Sequence, residues 1–406
     1  MHKALDWLTV IEVAEFIRGP FCAKLLADLG ATVIKIEPPR VGDIARTRGP
    51  FPQDQPHPER SGMFQYLNTN KLGVTLDLAS AEGRRMLRRL VERADVVVTD
   101  KSRKECAALG LDYASLKAIK ADLILTTVTP FGHTGLYADF KSYHLTTSQS
   151  SLEGNQLPSS PDGPTDRVRE QTPAQSGAFV EEYDGGLFAA GGALAAVYAR
   201  DLWGEGQHVD VSQQEVELDL NPLTFAAYFS GGLVYDRGSR EIGAAGLFDT
   251  KDGYVVITFT EDHFFQNLVE WMGRPDLAKD PRFCTKAARQ TNGPAFKEML
   301  RDWFKGYTKK EIYYLLMTVS APSGYYADAR DIVESPQMAA REFFTDVQTA
   351  EAGVIKMPLA PYKLSDTPPR IQRPAPTLGQ HNHDVFAGML GLGENELARL
   401  SKAGVL

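Results

Sequence analysis

Short β-branched runs alternate with helix-forming stretches through the N-terminal third of the chain, and few folds accommodate that alternation. TVIEV (9–13) reads as a strand, FCAKLLADLG (21–30) as a helix closed by Gly30, and TVIKIE (32–37) as a second strand, which together make a βαβ unit. GVTLDL (73–78), AEGRRMLRRLVERA (81–94) and DVVVTD (95–100) repeat the pattern, and DLILTTVTPFG (122–132) adds a buried strand ahead of a glycine loop. Parallel strands joined by helices bury both sheet faces, so the expected fold class is α/β with a largely parallel, doubly wound sheet. Ligands in such sheets bind beyond the carboxyl ends of strands, which points to the loops after Val13, Ile36, Val98 and Thr129. No GxGxxG fingerprint and no P-loop occurs, which argues against nicotinamide or ATP chemistry.

Residues 133–180 have another texture, rich in Ser, Gly, Pro and Thr, and read as a long connection of the kind that is usually functional or mobile. Leu187 to Tyr198 is mostly Ala, Leu and aromatic, a helix interrupted at Gly191 and Gly192, where close backbone approach is expected; GEGQ (204–207) ends the unit. Glu181, Glu182 and Asp184 stand at its entry, where unpaired backbone amides and the helix dipole favour negative charge. On the residues alone, a capping role and a chemical role both remain open. Beyond 209–221, a strand-like stretch at 246–259 and helices at 263–273, 295–307 and 309–319 indicate a smaller α+β domain. The expected division is a large domain over 1–224, a small domain over 225–335, and a return to the large domain over 336–406 that ends in a helix at 394–404.

Composition narrows the class. A chain of 406 residues with a formal net charge of −8 is long enough for two domains and too acidic for nucleic acid as its main partner. An anionic ligand must therefore be held by a local basic site. Cys22, Cys106 and Cys284 are too few and too scattered for a disulfide framework or a zinc site, so no metal is expected and a reducing cytoplasm fits. MHKALDWLTVIEV lacks the apolar stretch of a signal peptide, and no window approaches the ~20 apolar residues of a membrane span. His381 and His383 in GQHNHD lack a third ligand nearby and read as a surface turn, while Phe264, Phe265 and Trp271 sit at helical spacing and read as core.

Four ordered segments carry a resemblance: LTVIEVAEFIRGPFCAKLLADLGATVIKIEPPRVGD (8–43), YLNTNKLGVTLDL (66–78), GEGQHVDVS (204–212) and YKLSDTPPRIQRPAPTLGQHNHDV (362–385). Together they resemble the family III CoA-transferases, the group of formyl-CoA transferase, carnitine CoA-transferase and α-methylacyl-CoA racemase, nearly end to end. The resemblance implies a Rossmann-like large domain, a small domain joined by two linkers, and an interlocked dimer, either a homodimer or a heterodimer with a paralogous subunit. Its active site would lie between the large domain of one subunit and the small domain of the other. It also implies transfer of CoA from an acyl-CoA to a free carboxylic acid through a carboxylate-linked anhydride and an enzyme–CoA thioester.

In that family the nucleophile is an Asp four residues before the glycine of a GLYAALGILAA-like helix. GLFAAGGALAA (186–196) puts Glu182 at the matching position, one methylene longer, with Asp184 as a second candidate. Two other outcomes follow from the same likeness: a catalytically silent subunit of a heteromeric transferase, as in benzylsuccinate CoA-transferase, and an acyl-CoA racemase or isomerase. The racemase triplet corresponds to Ser142-Tyr143-His144, which leaves His144 as a displaced acid or base. Asn68-Thr69-Asn70-Lys71 matches the turn that meets the pantetheine and phosphates of CoA, giving Asn70 and Lys71 as contacts. Lys141 matches a basic position near the thiol end. Asp100-Lys101-Ser102-Arg103-Lys104 replaces a CoA-adjacent loop, and its Arg103 and Lys104 suit phosphates. Arg18, next to Gly-Pro in the loop after the first strand, is placed to meet a substrate carboxylate, which a dicarboxylic acid or polar acyl group would supply.

Overall fold

Strands β1 (Thr9–Val13), β2 (Thr32–Glu37), β3 (Leu72–Thr75), β4 (Val96–Thr99), β5 (Ile124–Thr129) and β6 (His208–Ser212) form one sheet in the order 3-2-1-4-5-6. Every pairing in it is parallel. The computed structural model describes residues 2–157, 172, 174–236, 245–258 and 261–406. Register sets Val10 beside Val33 and Val96, and Ile11 beside Ile34 and Val97. Successive side chains along a strand point to opposite faces, so these rows become two apolar layers. Ile11, Ile34, Val97 and Leu125 pack under Met86, Leu87 and Leu90 of the Ala81–Val91 helix and under Val385, Phe386 and Leu400 near the C-terminus. Val10, Val33, Val96 and Ile124 pack under Cys22, Ala23 and Leu26 of the Arg18–Asp28 helix and under Ala189, Ala193 and Val197 of the Val180–Trp203 helix.

Several boundaries depart from expectation. The long helix begins at Val180, so Glu181 and Glu182 lie inside its acidic first turn instead of ahead of it. Close approaches fall at Gly186, where a Cβ would lie 2.7 Å from the Arg18 carbonyl oxygen, and at Gly192, 2.8 Å from Val209 Cγ1. Gly191 faces open space. The first helix starts at Arg18 because Pro20, in its first turn, has no intrahelical hydrogen bond to lose. The long connection contains helices His144–Ser150 and Glu153–Gln156, and its residues 158–171 and 173 lie outside those described.

The strand-like stretch forms a hairpin over its described residues: β7 (Ala245–Thr250) pairs antiparallel with β8 (Gly253–Thr258), which also pairs with β9 (Ser323–Tyr325). Phe265, Phe296, Leu300 and Leu316 pack on Phe248, Val255 and Ile257 of that sheet. Trp271, expected in this core, lies at its rim, edge-on to Trp303 with centroids 4.8 Å apart.

The chain divides into two compact units: Met1–Leu152, Ser176–Asn221 and Gln337–Leu406 form one, and Glu153–Gln175 and Pro222–Pro336 the other. The Pro222–Gly231 helix of the second unit buries none of its residues, and Leu223 and Phe229 are 82% and 79% exposed. Among the described residues no helix is long and apolar enough to cross a membrane.

Candidate active site

A buried ionic frame fixes the loop after β1. Glu12 lies between two lysines, with Lys35 Nζ 2.8 Å from Oε1 and Lys71 Nζ 2.7 Å from Oε2. Lys35 also reaches Asp43 Oδ2 at 2.8 Å and donates to the Ala14 carbonyl at 3.0 Å. Asp43 in turn accepts the amides of Phe16, at 2.9 Å, and Ala45, at 2.8 Å. Against the effect of burial, Lys35 and these amides hold the Asp43 carboxyl below the usual carboxylate range. Phe16 is thereby kept in the left-handed region, φ 66°, and the chain turns to deliver Arg18 at the head of the next helix.

Arg18 meets the long helix there. Its Nε lies 2.9 Å from Glu182 Oε2, and its Nη1 donates to Gln213 Oε1 at 2.9 Å. Glu182 is 3% exposed and Gln213, directly after β6, is fully buried. The preceding carboxylate has its own partner: Glu181 Oε2 is 3.0 Å from His144 Nε2, both buried. Phe179 lies against both His144 and Phe16, with ring centroids 5.1 and 5.2 Å away. Asp100, in the loop after β4, accepts the Glu15 amide at 2.9 Å, and burial pushes its carboxyl up to about 6. Asp184 is half-buried, and burial raises its carboxyl above the usual range.

The parts of this cluster come from the ends of β1, β4 and β6 and the first turn of one helix. Strand order reverses between β1 and β4, where open α/β sheets place their ligands. A carboxylate held beside a guanidinium in a largely dry site can act as a nucleophile or stabilise a cation.

The structure brings Glu182, Arg18 and, through Glu181, His144 together. The other sequence-derived candidates take different partners. Asn70, at φ 66°, donates to Asp28 Oδ1 at 2.7 Å and the Arg370 carbonyl at 2.8 Å, and accepts the Gln372 and Arg373 amides at 2.7 and 3.1 Å. It clips the C-terminal segment in place. Lys71 is fully buried, with Glu12, the Pro20 carbonyl at 2.8 Å and Asn68 Oδ1 at 2.9 Å taking its ammonium hydrogens, and burial draws it down to about 8. Within the chain Lys71 thus belongs to the ionic frame, with all three of its ammonium donors engaged.

Arg103 and Lys104 reach Asp139 at 2.7 and 3.4 Å on the surface, on a helix capped by Ser102 and Glu105. Lys141 is exposed. His381 Nδ1 accepts the Gly73 amide at 3.1 Å, so the histidine turn borders β3. No sequence motif singles out Gln213, although its place directly after the HVDVS strand satisfies the strand-end rule.

Comparison with known proteins bears on this arrangement. The family model described as CoA-transferase family III matches residues 5–382. The succinyl-CoA–D-citramalate CoA-transferase of Chloroflexus aurantiacus is 32% identical over 100% of this chain and 98% of its own length. The beta subunit of the succinyl-CoA–L-malate CoA-transferase of the same organism is 29% identical over 99% of this chain and 98% of its own. The crystal structure of a CAIB/BAIF family protein from Brucella suis superimposes with a TM-score of 0.85 at 29% identity, covering 96% of this chain and 100% of that one.

Proposed function

This chain belongs to CoA-transferase family III and is a CoA-transferase, and on that premise we propose that Glu182 carries the acyl group and then CoA between donor and acceptor. One carboxylate oxygen attacks the carbonyl carbon of the donor thioester; the C–S bond breaks and CoA leaves as thiolate. The thiolate attacks the Glu182 carbonyl carbon of the mixed anhydride, the donor acid departs as carboxylate, and Glu182 becomes a CoA thioester. The acceptor carboxylate then runs both steps in reverse. Each step exchanges one anion for another, so no proton need move, and burial of Glu182 protects the anhydride from water.

The observation that carries this reading is the placement of Glu182, buried in the helix first turn against Arg18, at the point where Gly186 lets the two helices touch. Asp184, two residues further along the helix and half-buried, is the alternative carboxylate, and His144 serves by orienting Glu181.

The relatives named above act with succinyl-CoA and small hydroxy diacids, which supports a small polar carboxylic acid as acceptor here. Arg103, Lys104 and Lys141, cationic and exposed, suit the CoA phosphates. The strand order supports a Rossmann-like large domain, and the unit boundaries support a small domain near 225–335. The uncovered Leu223 and Phe229 support an interlocked dimer in which a second subunit completes the site. Three free cysteines suit the cytoplasm. The beta-subunit relative favours a second reading, a heterodimer in which this chain pairs with a paralogue.

Intact mass after incubation with a panel of acyl-CoAs and then hydroxylamine tests the scheme. A hydroxamate on Glu182, absent from Glu182→Gln, is expected. CoA binding with no adduct would remove Glu182 as nucleophile and leave the heterodimer, which co-expression with a paralogue would then reveal.

A further inference from the structure

Glu182 is an anion only while its carboxylate is free. In both covalent forms of the cycle, the anhydride and the CoA thioester, its charge is gone while Arg18 keeps its own. The guanidinium Nε then faces a neutral acyl group where it now meets a carboxylate oxygen at 2.9 Å, with the Arg18 side chain only 18% exposed. A mostly buried cation stripped of its anion is costly, and a free anion in reach will be drawn to it.

A second donor stands beside it. Arg18 can only donate, so the oxygen of the Gln213 amide must face Nη1, as the 2.9 Å contact shows. That orientation turns Gln213 Nε2 elsewhere, and this fully buried nitrogen has no acceptor among the described residues. A buried amide N–H without a partner is uncommon in native proteins, and this one is available to an acceptor that enters the site. Asp100, another carboxylate in electrostatic reach of Arg18, already accepts the Glu15 amide and faces Lys101.

We propose that Arg18 and Gln213 Nε2 form a subsite for the reacting carboxylate of the acid substrate, closed by Glu182 in the resting enzyme and opened when Glu182 becomes an acyl or CoA ester. The inference rests on Glu182 as nucleophile. With Glu182 loaded as the CoA thioester, one oxygen of the incoming carboxylate is held by Arg18 and Gln213 while the other attacks the Glu182 carbonyl carbon. The C–S bond breaks, the electron pair leaves on the CoA thiolate, and the anhydride forms. In the resting state the same guanidinium is neutralised from within, and the free acid has no counterion to bind. The acid is therefore admitted only after CoA has been loaded.

The charge state is reproduced by Glu182→Gln, which keeps the side-chain shape and removes the charge. Calorimetric titration of the purified full chain with succinate and, separately, acetate is expected to show binding to Glu182→Gln tighter than to the wild type by about tenfold or more. Adding Arg18→Gln to that variant is expected to abolish the gain. Equal affinity in wild type and Glu182→Gln overturns the subsite. So does a gain that survives loss of Arg18, since it then reflects only relief of repulsion between two carboxylates.

Thermal melting and CoA titration verify that the variants are folded; if Glu182→Gln does not fold, Glu182→Ala carries the same comparison. The hydroxamate measurement reports separately on the nucleophile. An adduct with no gain in acid affinity overturns the subsite and leaves the transfer scheme intact, whereas a gain without an adduct shows that Arg18 can bind the acid but removes the covalent scheme and, with it, the opening of the subsite by esterification.

Discussion

The extra methylene of Glu182 matters because Arg18 is there to anchor it: the 2.9 Å contact fixes the end of a stem roughly 1 Å longer than aspartate's. Glu182→Asp withdraws the carboxylate from both guanidinium and thioester. Adduct formation, followed by rapid quench and mass measurement, is expected to slow by about 100-fold, the penalty typical of a 1 Å misplacement. Asp100 makes a prediction of a different kind. Burial raises its folded-state pKa to about 6 from an unfolded value of about 4, so between those values the folded chain binds more protons and stability falls as pH rises. Urea midpoints measured from pH 4 to 7 should show that decline, and Asp100→Asn should flatten it. Little of this was legible beforehand. Glu182 stood out only through its distance from a helix glycine in a resembling family, and nothing local to Arg18 announces Gln213, 195 residues away.

Among the elements, the strands were legible because burial on both faces leaves near-continuous β-branched runs, whose type needs no knowledge of partners. Lys35 and Lys71 were not, because a lysine inside a strand or turn gives no sign of the carboxylate that meets it from another strand. Lys35→Met would leave Asp43 buried without its cation, and urea unfolding is expected to show a loss of ~3–5 kcal/mol. The glycines of the long helix separate in the same assay. Gly186→Ala drives a methyl into the Arg18 backbone and should cost ~1–3 kcal/mol as the helices part. Gly191→Ala meets nothing within 4 Å and should stabilise by up to ~1 kcal/mol through helix propensity alone. If the two substitutions behave alike, helix contact at Gly186 is not what holds this part of the site together.

At the scale of the whole molecule, a helix that buries none of its residues predicts assembly. Folding is then linked to association, so the melting temperature should rise with protein concentration and Leu223→Asp should lower it at fixed concentration. Scanning calorimetry over a 50-fold dilution series, roughly, checks both. The layout of the first unit also bears on how the protein comes to exist. Val385, Phe386, Leu400 and Val405 roof the sheet face that Ile11, Ile34 and Val97 present, and Asp77 donates its amide to the Val405 carbonyl. On the ribosome the strands and the Ala81–Val91 helix emerge well before Val385, Phe386, Leu400 and Val405, so this sheet face stays only half roofed until Val385 and the residues after it have been made. Truncation before Val385 would leave that part of the face uncovered and is expected to raise aggregation, which light scattering of the shortened chain measures.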